Sequence, residues 1–159
     1  PMWMALGQLP DEPEEFRLHL IMVHGCLLYS SRKTQSFIAL SSGEAEYYAA
    51  LKGASMGLGF QSMALDLGIH LRLRLHTDSA AAKGIINRRG LGKLRHIEVG
   101  YLWLQDKVAI KALKVLKVLG KENPANLATK HLSAEDIKKH LERLSFFPED
   151  GRSKAVPGI

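Results

Sequence analysis

The sequence predicts a mixed α/β fold, in which antiparallel hairpin strands and parallel strands form one sheet flanked by helices. Three observations lead to this class. The apolar run HLIMVHGCLLYSS (19–31) is broken at His24–Gly25, which indicates two strands joined by a tight turn. A later segment, IHLRLRLHTDS, alternates so that Leu71, Leu73 and Leu75 share one face. Helical patterns alternate with strands from there on, an order typical of a mixed sheet.

The first elements can be assigned in order along the chain. Residues 1–17 predict an irregular lead-in, because prolines and acids crowd the segment LPDEPEEFR. After the hairpin, the segment KTQSFIALS (33–41) alternates and predicts a third strand. An alanine-rich helix is then expected over 43–67, with Ser41 or Ser42 as its N-cap.

Three glycines lie inside that long helix, and each costs roughly 1 kcal/mol relative to alanine. Gly53 and Gly57 are four residues apart and therefore lie on one face of the helix, whereas Gly59 does not share that spacing. We expect the first two to let the helix backbone pack closely against a neighbouring strand.

The second half of the chain predicts helices and strands in alternation. Ser79 caps a helix that begins in SAAAKGIINRR, IEVGYLWLQDKVA has helical spacing, and IKALKVLKVLG alternates as a strand. Asn123 and Pro124 are expected to start a short helix. Ser133 then caps a last amphipathic helix, in SAEDIKKHLERL.

Composition places the chain among ordinary globular domains. It has 159 residues, of which 46% are hydrophobic and 24% charged, so we expect one domain over 18–145 and a disordered tail over 146–159. The sequence has no run of 18 apolar residues, so no membrane span is expected. Cys26 is the single cysteine, which excludes an internal disulfide and favours a reducing, intracellular setting.

The net charge of +6 is concentrated in the middle of the chain. Residues 71–121 contain 12 lysines and arginines against 3 acids, a balance of +9, so the remainder sums to −3. A basic segment of this kind suits a polyanion such as nucleic acid. A lysine-rich surface that is simply solvated explains the same charge.

Acidic residues at two element boundaries are candidates for metal chemistry. Glu44 and Glu46 fall in the first turns of the long helix, and Asp78 ends the strand before the next helix. If the helix packs on the sheet, Glu46 and Asp78 can meet at one edge, where hard oxygen ligands favour magnesium or manganese. The alternative readings are an acid that matches the helix dipole and an aspartate that caps a helix.

Four motifs occur in an order that resembles the ribonuclease H domain at the end of the Pol polyprotein of copia-type LTR retrotransposons. They are KTQSFIALSSGEAEYYAALKGA, LHTDSAAAKGI, GKLRHIEVGYLWLQDKV and GKENPANLATKHL, and the resemblance as a whole covers about residues 19–132. The resemblance implies a ribonuclease H-like fold and hydrolysis of the RNA strand in RNA–DNA hybrids. It also implies four carboxylates that hold two magnesium ions, and a reverse transcriptase domain in the same polyprotein as partner.

The resemblance assigns roles to individual residues. Glu46 matches the helix carboxylate of the motif E-x-x-A, with Glu44 as the fallback, and Asp78 matches the acid that ends the fourth strand. Six residues are implied as nucleic-acid contacts: Lys83, Arg88, Arg89, Lys93, Arg95 and His96. For His96, a helix-start histidine with a local hydrogen bond is an equal alternative.

Two departures from the family pattern indicate a degenerate copy. The family's first aspartate belongs near Ala5, on a central strand between the second and fourth strands, and PMWMALGQLPDEP has no acid there. Asn126 stands where the fourth carboxylate belongs, and it can offer a neutral carbonyl oxygen but no charge. We therefore expect an atypical or missing first strand, one weakly held, hydrated Mg²⁺ or Mn²⁺ at Glu46 and Asp78, and little or no cleavage.

Overall fold

The computed structural model describes residues 2–8, 16–34, 39–92, 96–128 and 131–146. Within these residues, five strands form one sheet: β1 (Met2–Gln8), β2 (Phe16–Val23), β3 (Cys26–Thr34), β4 (Leu73–Thr77) and β5 (Leu113–Lys117). Four α-helices flank it: α1 (Ser42–Asp66), α2 (Ala80–Asn87), α3 (Trp103–Ala109) and α4 (Ala134–Arg143). Short 3₁₀ helices cover Val99–Leu102, Gly120–Glu122 and Pro124–Ala128.

The sheet has the order β3-β2-β1-β4-β5, so β1 is its central strand. β1 pairs antiparallel with β2 along its whole length, from Met2↔Val23 to Gln8↔Arg17, and parallel with β4. The predicted irregular lead-in was therefore wrong for residues 2–8. The prolines and acids that suggested it follow the strand. Pairing with β2 along the whole strand, and with β4 over residues 2–4, satisfies backbone groups of this apolar segment.

β2 and β3 form the predicted hairpin around a turn at His24 and Gly25. Both turn residues have positive φ, 51° and 86°, as a two-residue hairpin turn requires. The separate strand predicted over 33–41 was wrong in its described part. Its first two residues continue β3, while Ser41 already caps the next helix, and residues 35–38 lie outside the described part of the chain.

α1 matches its prediction, and its close approach to the sheet is confirmed at one of the two glycines. A Cβ built on Gly57 would lie 2.7 Å from Cδ1 of Leu73 in β4. Since a real Cβ never comes this close to another carbon, glycine at this position permits the helix–strand contact. Gly53 is also buried, and Gly59 faces open space.

The core occupies both faces of the sheet, because alternate residues of β2 point to opposite sides. Ile21 packs in the larger cluster beneath α1, α2 and α3, together with Tyr47, Leu75 and Leu104. On the other face, a smaller cluster fills the space under the Pro124–Ala128 helix and α4: Leu18, Leu20, Met22, Ala125 and Leu144.

The remaining elements follow the sequence prediction closely. Ser79 caps α2 and Ser133 caps α4, each by accepting a hydrogen bond from the backbone N–H three residues on. Phe146, assigned to the disordered tail, donates its backbone N–H to Leu141 O at 2.9 Å and so closes α4. The rest of the predicted tail, 147–159, lies outside the described residues.

Candidate functional site

The start of α1 is built around a reciprocal cap. Ser41 Oγ accepts a hydrogen bond from the backbone N–H of Glu44 at 3.2 Å, and Glu44 Oε2 accepts one from the backbone N–H of Leu40 at 3.1 Å. This arrangement is close to a capping box, in which a serine and the acid three residues later satisfy the free N–H groups at a helix start. Glu44 is only 1% exposed, so it is a buried structural acid and not merely a surface residue that matches the helix dipole.

Glu44 also binds a histidine 52 residues further along the chain. His96 Nε2 donates to Glu44 Oε2 at 2.9 Å, and the histidine side chain is 42% exposed. Burial by itself would raise the pKa of Glu44, but the hydrogen bonds from His96, Leu40 and Tyr48 outweigh it and leave the pKa below its usual 4.5. The link ties the basic segment after α2 to the head of α1.

This long-range link was not predicted from the sequence, which offered His96 a local hydrogen bond or a phosphate. A serine followed three residues later by glutamate is the one signal that indicated a structural role for Glu44. Nothing in the local pattern around His96 indicates its partner.

The loop after α2 is held by two further side chains. The guanidinium of Arg88 donates to Leu91 O, and a Cβ on Gly92 would lie 2.7 Å from Arg88 Cζ, so the loop closes tightly around this arginine. Gln105 of α3 binds Gly90 on both sides, accepting from its N–H at 2.8 Å and donating to its carbonyl at 3.2 Å. The described part of the loop is therefore fixed to α3 as well as to itself.

Glu46 and Asp78 stand near the starts of two helices that touch. A Cβ on Gly43 would lie 2.8 Å from Cβ of Ala81, so the first turn of α1 packs directly on the first turn of α2. Glu46 is 8% exposed and lies one turn into α1, while Asp78 is partly buried and directly follows β4. Their role as metal ligands stays a prediction.

Asp78 and Asn126 approach the same glycine. Oδ2 of Asp78 is 3.7 Å from the position of a Cβ on Gly120, and Asn126 Nδ2 donates to the carbonyl of Gly120. Asn126 is 2% exposed, and its Oδ1 has no hydrogen-bond partner among the residues that the structure describes. The residue at the fourth carboxylate position thus uses its amide N–H for a structural bond that an ionised aspartate cannot make.

The donor set does not fit a pair of magnesium ions. Within the described ranges, no group of three or more histidine, cysteine or acidic side chains is arranged to hold a metal ion. If the pairing Met4↔Leu75 is continued along the two parallel strands, Asp78 lies level with Gly7, and β1 has no acidic residue at all. With Asn126 neutral, two closely spaced dications would lack the negative charge that holds them together.

The six residues implied as nucleic-acid contacts divide into three groups. Arg88 closes the loop and His96 binds Glu44, so both have structural partners. Arg89 is exposed, and Lys83 lines a separate cleft between the helices and the β4–β5 side of the sheet. Lys93 and Arg95 lie outside the described residues. Nucleic-acid binding by this set stays a prediction.

The architecture defines the structural class. An antiparallel β1-β2-β3 unit continues into the parallel strands β4 and β5, with α1 packed across the sheet and an acid at the end of β4. This arrangement is consistent with a ribonuclease H-like fold and confirms the predicted mixed sheet. The first strand, which was expected to be atypical or missing, is present as β1 in the centre of the sheet.

Comparison with known proteins adds a relationship to a mobile element. The chain is 32% identical over 114 residues to the retrovirus-related Pol polyprotein from transposon TNT 1-94 of Nicotiana tabacum. The aligned stretch is 70% of this chain and 9% of that polyprotein, so the chain spans less than a tenth of its relative. No protein-family model matches. The similarity supports a retroelement origin, as a fragment of a Pol polyprotein.

Two findings bear on the setting of the chain. None of the helices in the described ranges is both long enough and apolar enough to cross a membrane. Cys26 is exposed at the start of β3 as a free thiol. An intracellular location stays a prediction from cysteine usage.

Proposed function

We propose that this chain is a ribonuclease H-like domain of a copia-type retrotransposon Pol polyprotein that binds RNA–DNA hybrids and cleaves them weakly or not at all. The observation that carries the proposal is the combination of an acid after β4 with a neighbouring β1 that has no acid. Asp78 ends the strand next to central β1, as in a hybrid nuclease, while β1 itself offers no acid.

Nuclease ancestry is supported by the position of the three candidate residues in the fold. Glu46 lies near the start of α1, Asp78 after β4, and Asn126 in the 3₁₀ helix that approaches Asp78 through Gly120. The carboxyl end of parallel strands is where α/β sheets usually place their ligands. The polyprotein relationship points in the same direction, and reverse transcriptase in the same polyprotein is the partner we propose.

Loss of cleavage follows from the charge that is missing. Hydrolysis by two metal ions places the ions roughly 4 Å apart, where one activates water and the other stabilises the leaving oxygen. Two carboxylates and one neutral amide do not offset the repulsion between such ions. One weakly held Mg²⁺ or Mn²⁺ at Glu46 and Asp78 is the most that this donor set favours.

A non-catalytic nucleic-acid-binding module is the second candidate. It is favoured by the absence of two of the four carboxylates that the resemblance implies, and by the basic charge of residues 71–121. Asn126 also favours this candidate, because its side-chain amide donates a hydrogen bond to the carbonyl of Gly120. A relic without selected function is the third candidate, and the absence of the two acids favours it as well.

Binding and cleavage measured side by side test the proposal. A fluorescently labelled RNA–DNA hybrid is titrated with the full chain at several salt concentrations, and the same mixtures with Mg²⁺ or Mn²⁺ are analysed on a denaturing gel. We expect salt-sensitive binding, with cleavage near background that is identical in wild type and Glu46→Gln.

The possible outcomes separate the candidates. Salt-sensitive binding without any cleavage favours the non-catalytic module, whereas weak cleavage that Glu46→Gln abolishes favours the impaired nuclease. Robust cleavage that disappears in Glu46→Gln contradicts the loss of catalysis. Absence of hybrid binding even at low salt contradicts nucleic-acid binding and leaves a relic. Duplex DNA of the same length is the control ligand, since an RNA–DNA hybrid differs from it in groove shape and in the 2′-hydroxyls.

A further inference from the structure

Within the described residues, α4 is attached to the domain by its second half. Its cap and first half, residues 133–139, are exposed throughout, whereas His140 and Leu144 are only 2% and 5% exposed. These two residues are four apart and therefore lie on one face of the helix. Leu144 belongs to the smaller core cluster with Ala125 and Met22, so the face that carries His140 is the one turned towards the protein.

The polar links at the end of α4 are exposed to water. Arg143 donates to the carbonyl of Glu122 at 2.7 Å and to its Oε1 at 3.3 Å, and Ser145 Oγ donates to Gly25 O at 3.0 Å. Exposed ion pairs of this kind contribute little to stability. Since α4 is held mainly by its two buried side chains, it can open locally while the sheet stays folded.

His140 is an anchor whose buried ring nitrogen is unsatisfied. Its Nδ1 has no hydrogen-bond partner among the residues that the structure describes. A neutral imidazole gives up one hydrogen bond with water at this atom. A protonated imidazole would place a proton and a positive charge at the same buried position, which is far less favourable. The docked helix therefore favours the neutral form of His140.

The charged groups near His140 lie on α4 itself: Asp136, Lys139 and Arg143. The segment Pro124–Ala128, on which α4 packs, has no titratable side chain, and the strand residues of the smaller core cluster are apolar. Glu122 faces the helix through its bond to Arg143. His24 lies in the hairpin turn that Ser145 contacts, and it is exposed. None of the described residues that α4 packs on thus offers the ring of His140 a buried anion.

Protonation of His140 is coupled to the position of the helix. Burial lowers the pKa of His140 below its usual 6.5, and the positive charge of Arg143 acts in the same direction. Asp136 raises this pKa and Lys139 lowers it, both to a smaller extent. Released into water, the histidine binds a proton more readily than in the docked helix. Docking is therefore strongest above pH 6.5 and weakens as pH falls from 6.5 towards the folded pKa.

We propose that α4 is a pH-sensitive latch, which is docked while His140 is neutral and is released when acid protonates this residue. Release exposes Leu144 and uncovers the segment Pro124–Ala128, which carries Asn126. The latch thus controls how firmly the fourth carboxylate position is held, while the strands stay paired. The inference goes beyond the proposed function, and it holds whether or not the chain binds nucleic acid.

Hydrogen exchange of the full chain, followed by NMR for individual amides, tests the latch. Protection factors correct for the intrinsic pH dependence of exchange, and they are compared at pH 7.5 and 5.5. We expect the amides of residues 137–144 to lose about three- to tenfold in protection at pH 5.5, since uptake of one proton changes the opening equilibrium by at most tenfold per pH unit. The amides of α1 should change by less than about twofold, because they report opening of the whole domain.

Two variants and a control separate protonation from packing. His140→Leu provides an apolar anchor and His140→Gln a neutral polar one, and neither side chain can be protonated. In both variants the protection of α4 should differ by less than about twofold between the two pH values, whatever its absolute level. His131→Gln removes an exposed histidine outside α4 and should leave the wild-type response intact.

The outcomes decide the proposal. Equal protection of α4 at both pH values in the wild type overturns the latch. A loss in His140→Leu and His140→Gln as large as in the wild type also overturns it, because the response then comes from another group. Parallel loss in α1 and α4 contradicts release of the helix alone and indicates unfolding of the domain. NMR titration of the His140 ring in the wild type is independent of the variants, and a pKa at or above 6.5 contradicts the coupling.

Discussion

Removal of His96 is expected to destabilise the fold, because it leaves a buried carboxylate with one donor fewer. In the wild type, Glu44 is 1% exposed and accepts a 2.9 Å hydrogen bond from His96. After His96→Ala, the Leu40 amide and Tyr48 remain as its hydrogen-bond donors. The charge of Glu44 stays in the protein interior, where an unsatisfied polar group is most unfavourable.

The magnitude follows from the type of bond and from its exposure. A hydrogen bond to a charged group contributes about 1.5–3 kcal/mol. Because the histidine side chain is 42% exposed, we expect the lower half of that range, about 2 kcal/mol. For a domain of this size the thermal midpoint should fall by about 4–8 °C.

The pH dependence of this destabilisation follows from the lowered pKa of Glu44. The pKa of Glu44 is below 4.5 in the folded chain, so its stabilising interactions are complete above pH 4.5 and are lost as pH falls through the folded pKa. The difference between wild type and His96→Ala should therefore be present at pH 7 and shrink as pH falls below 4.5 through the folded pKa of Glu44. Urea unfolding at pH 7 and pH 3, with Glu44→Gln and the double variant, measures the coupling.

A first-turn acid without such a partner is the control. Glu135 in α4 is exposed, and Glu135→Gln should change the unfolding free energy by about 0.5 kcal/mol or less. An unchanged midpoint for His96→Ala at pH 7 would refute the reasoning, as would a difference that is as large at pH 3 as at pH 7.

Three further predictions concern other parts of the structure. Asn126→Asp should destabilise the fold by about 1–3 kcal/mol, measured by urea unfolding at pH 7, because its carboxylate would face the carbonyl of Gly120. The substitution should not restore cleavage. A variant that is more stable and active would contradict this prediction. Gly57→Ala should destabilise the fold by about 1 kcal/mol, because the added Cβ clashes with Leu73. Gly59→Ala should stabilise it by about 0.5–1 kcal/mol, because the added methyl group meets open space. A change in unfolding free energy of the same sign in both variants would refute the packing argument. Adding 10 mM Mg²⁺ should raise the thermal midpoint by less than about 2 °C if the ion binds with a Kd of about 10 mM or weaker, and a rise of 5 °C would indicate a centre with a Kd of about 1 mM or tighter.

Much of the fold was predictable because local patterns agree with the final structure. The alternation through Leu73 and Leu75 defines β4, and serine caps mark the starts of α1 and α2. β1 was harder to assign, since its segment has no alternating pattern and precedes prolines. Its strand conformation depends on pairing with β2 and β4, which no local pattern in residues 2–8 reveals.

The candidate residues of the site could be predicted from the sequence, but the hydrogen bonds that these and neighbouring residues form could not. The head of α1 and the end of β4 identified Glu46 and Asp78, because acids there stand out by position. The bond between Glu44 and His96 spans 52 residues, and the bond from Asn126 to Gly120 depends on how a 3₁₀ helix turns. Such links arise from tertiary packing, so spacing along the sequence carries no signal for them.

The central position of β1 has a consequence for how the chain acquires its structure. Met2 pairs with Leu73, a separation of 73 − 2 = 71 residues, whereas the β2–β3 hairpin closes locally. Loop closure of this length makes the β1–β4 pairing a late and slow event relative to the hairpin. Deletion of the first eight residues would separate the β2–β3 hairpin from the β4–β5 pair, and an isolated two-stranded hairpin is marginally stable at best in water.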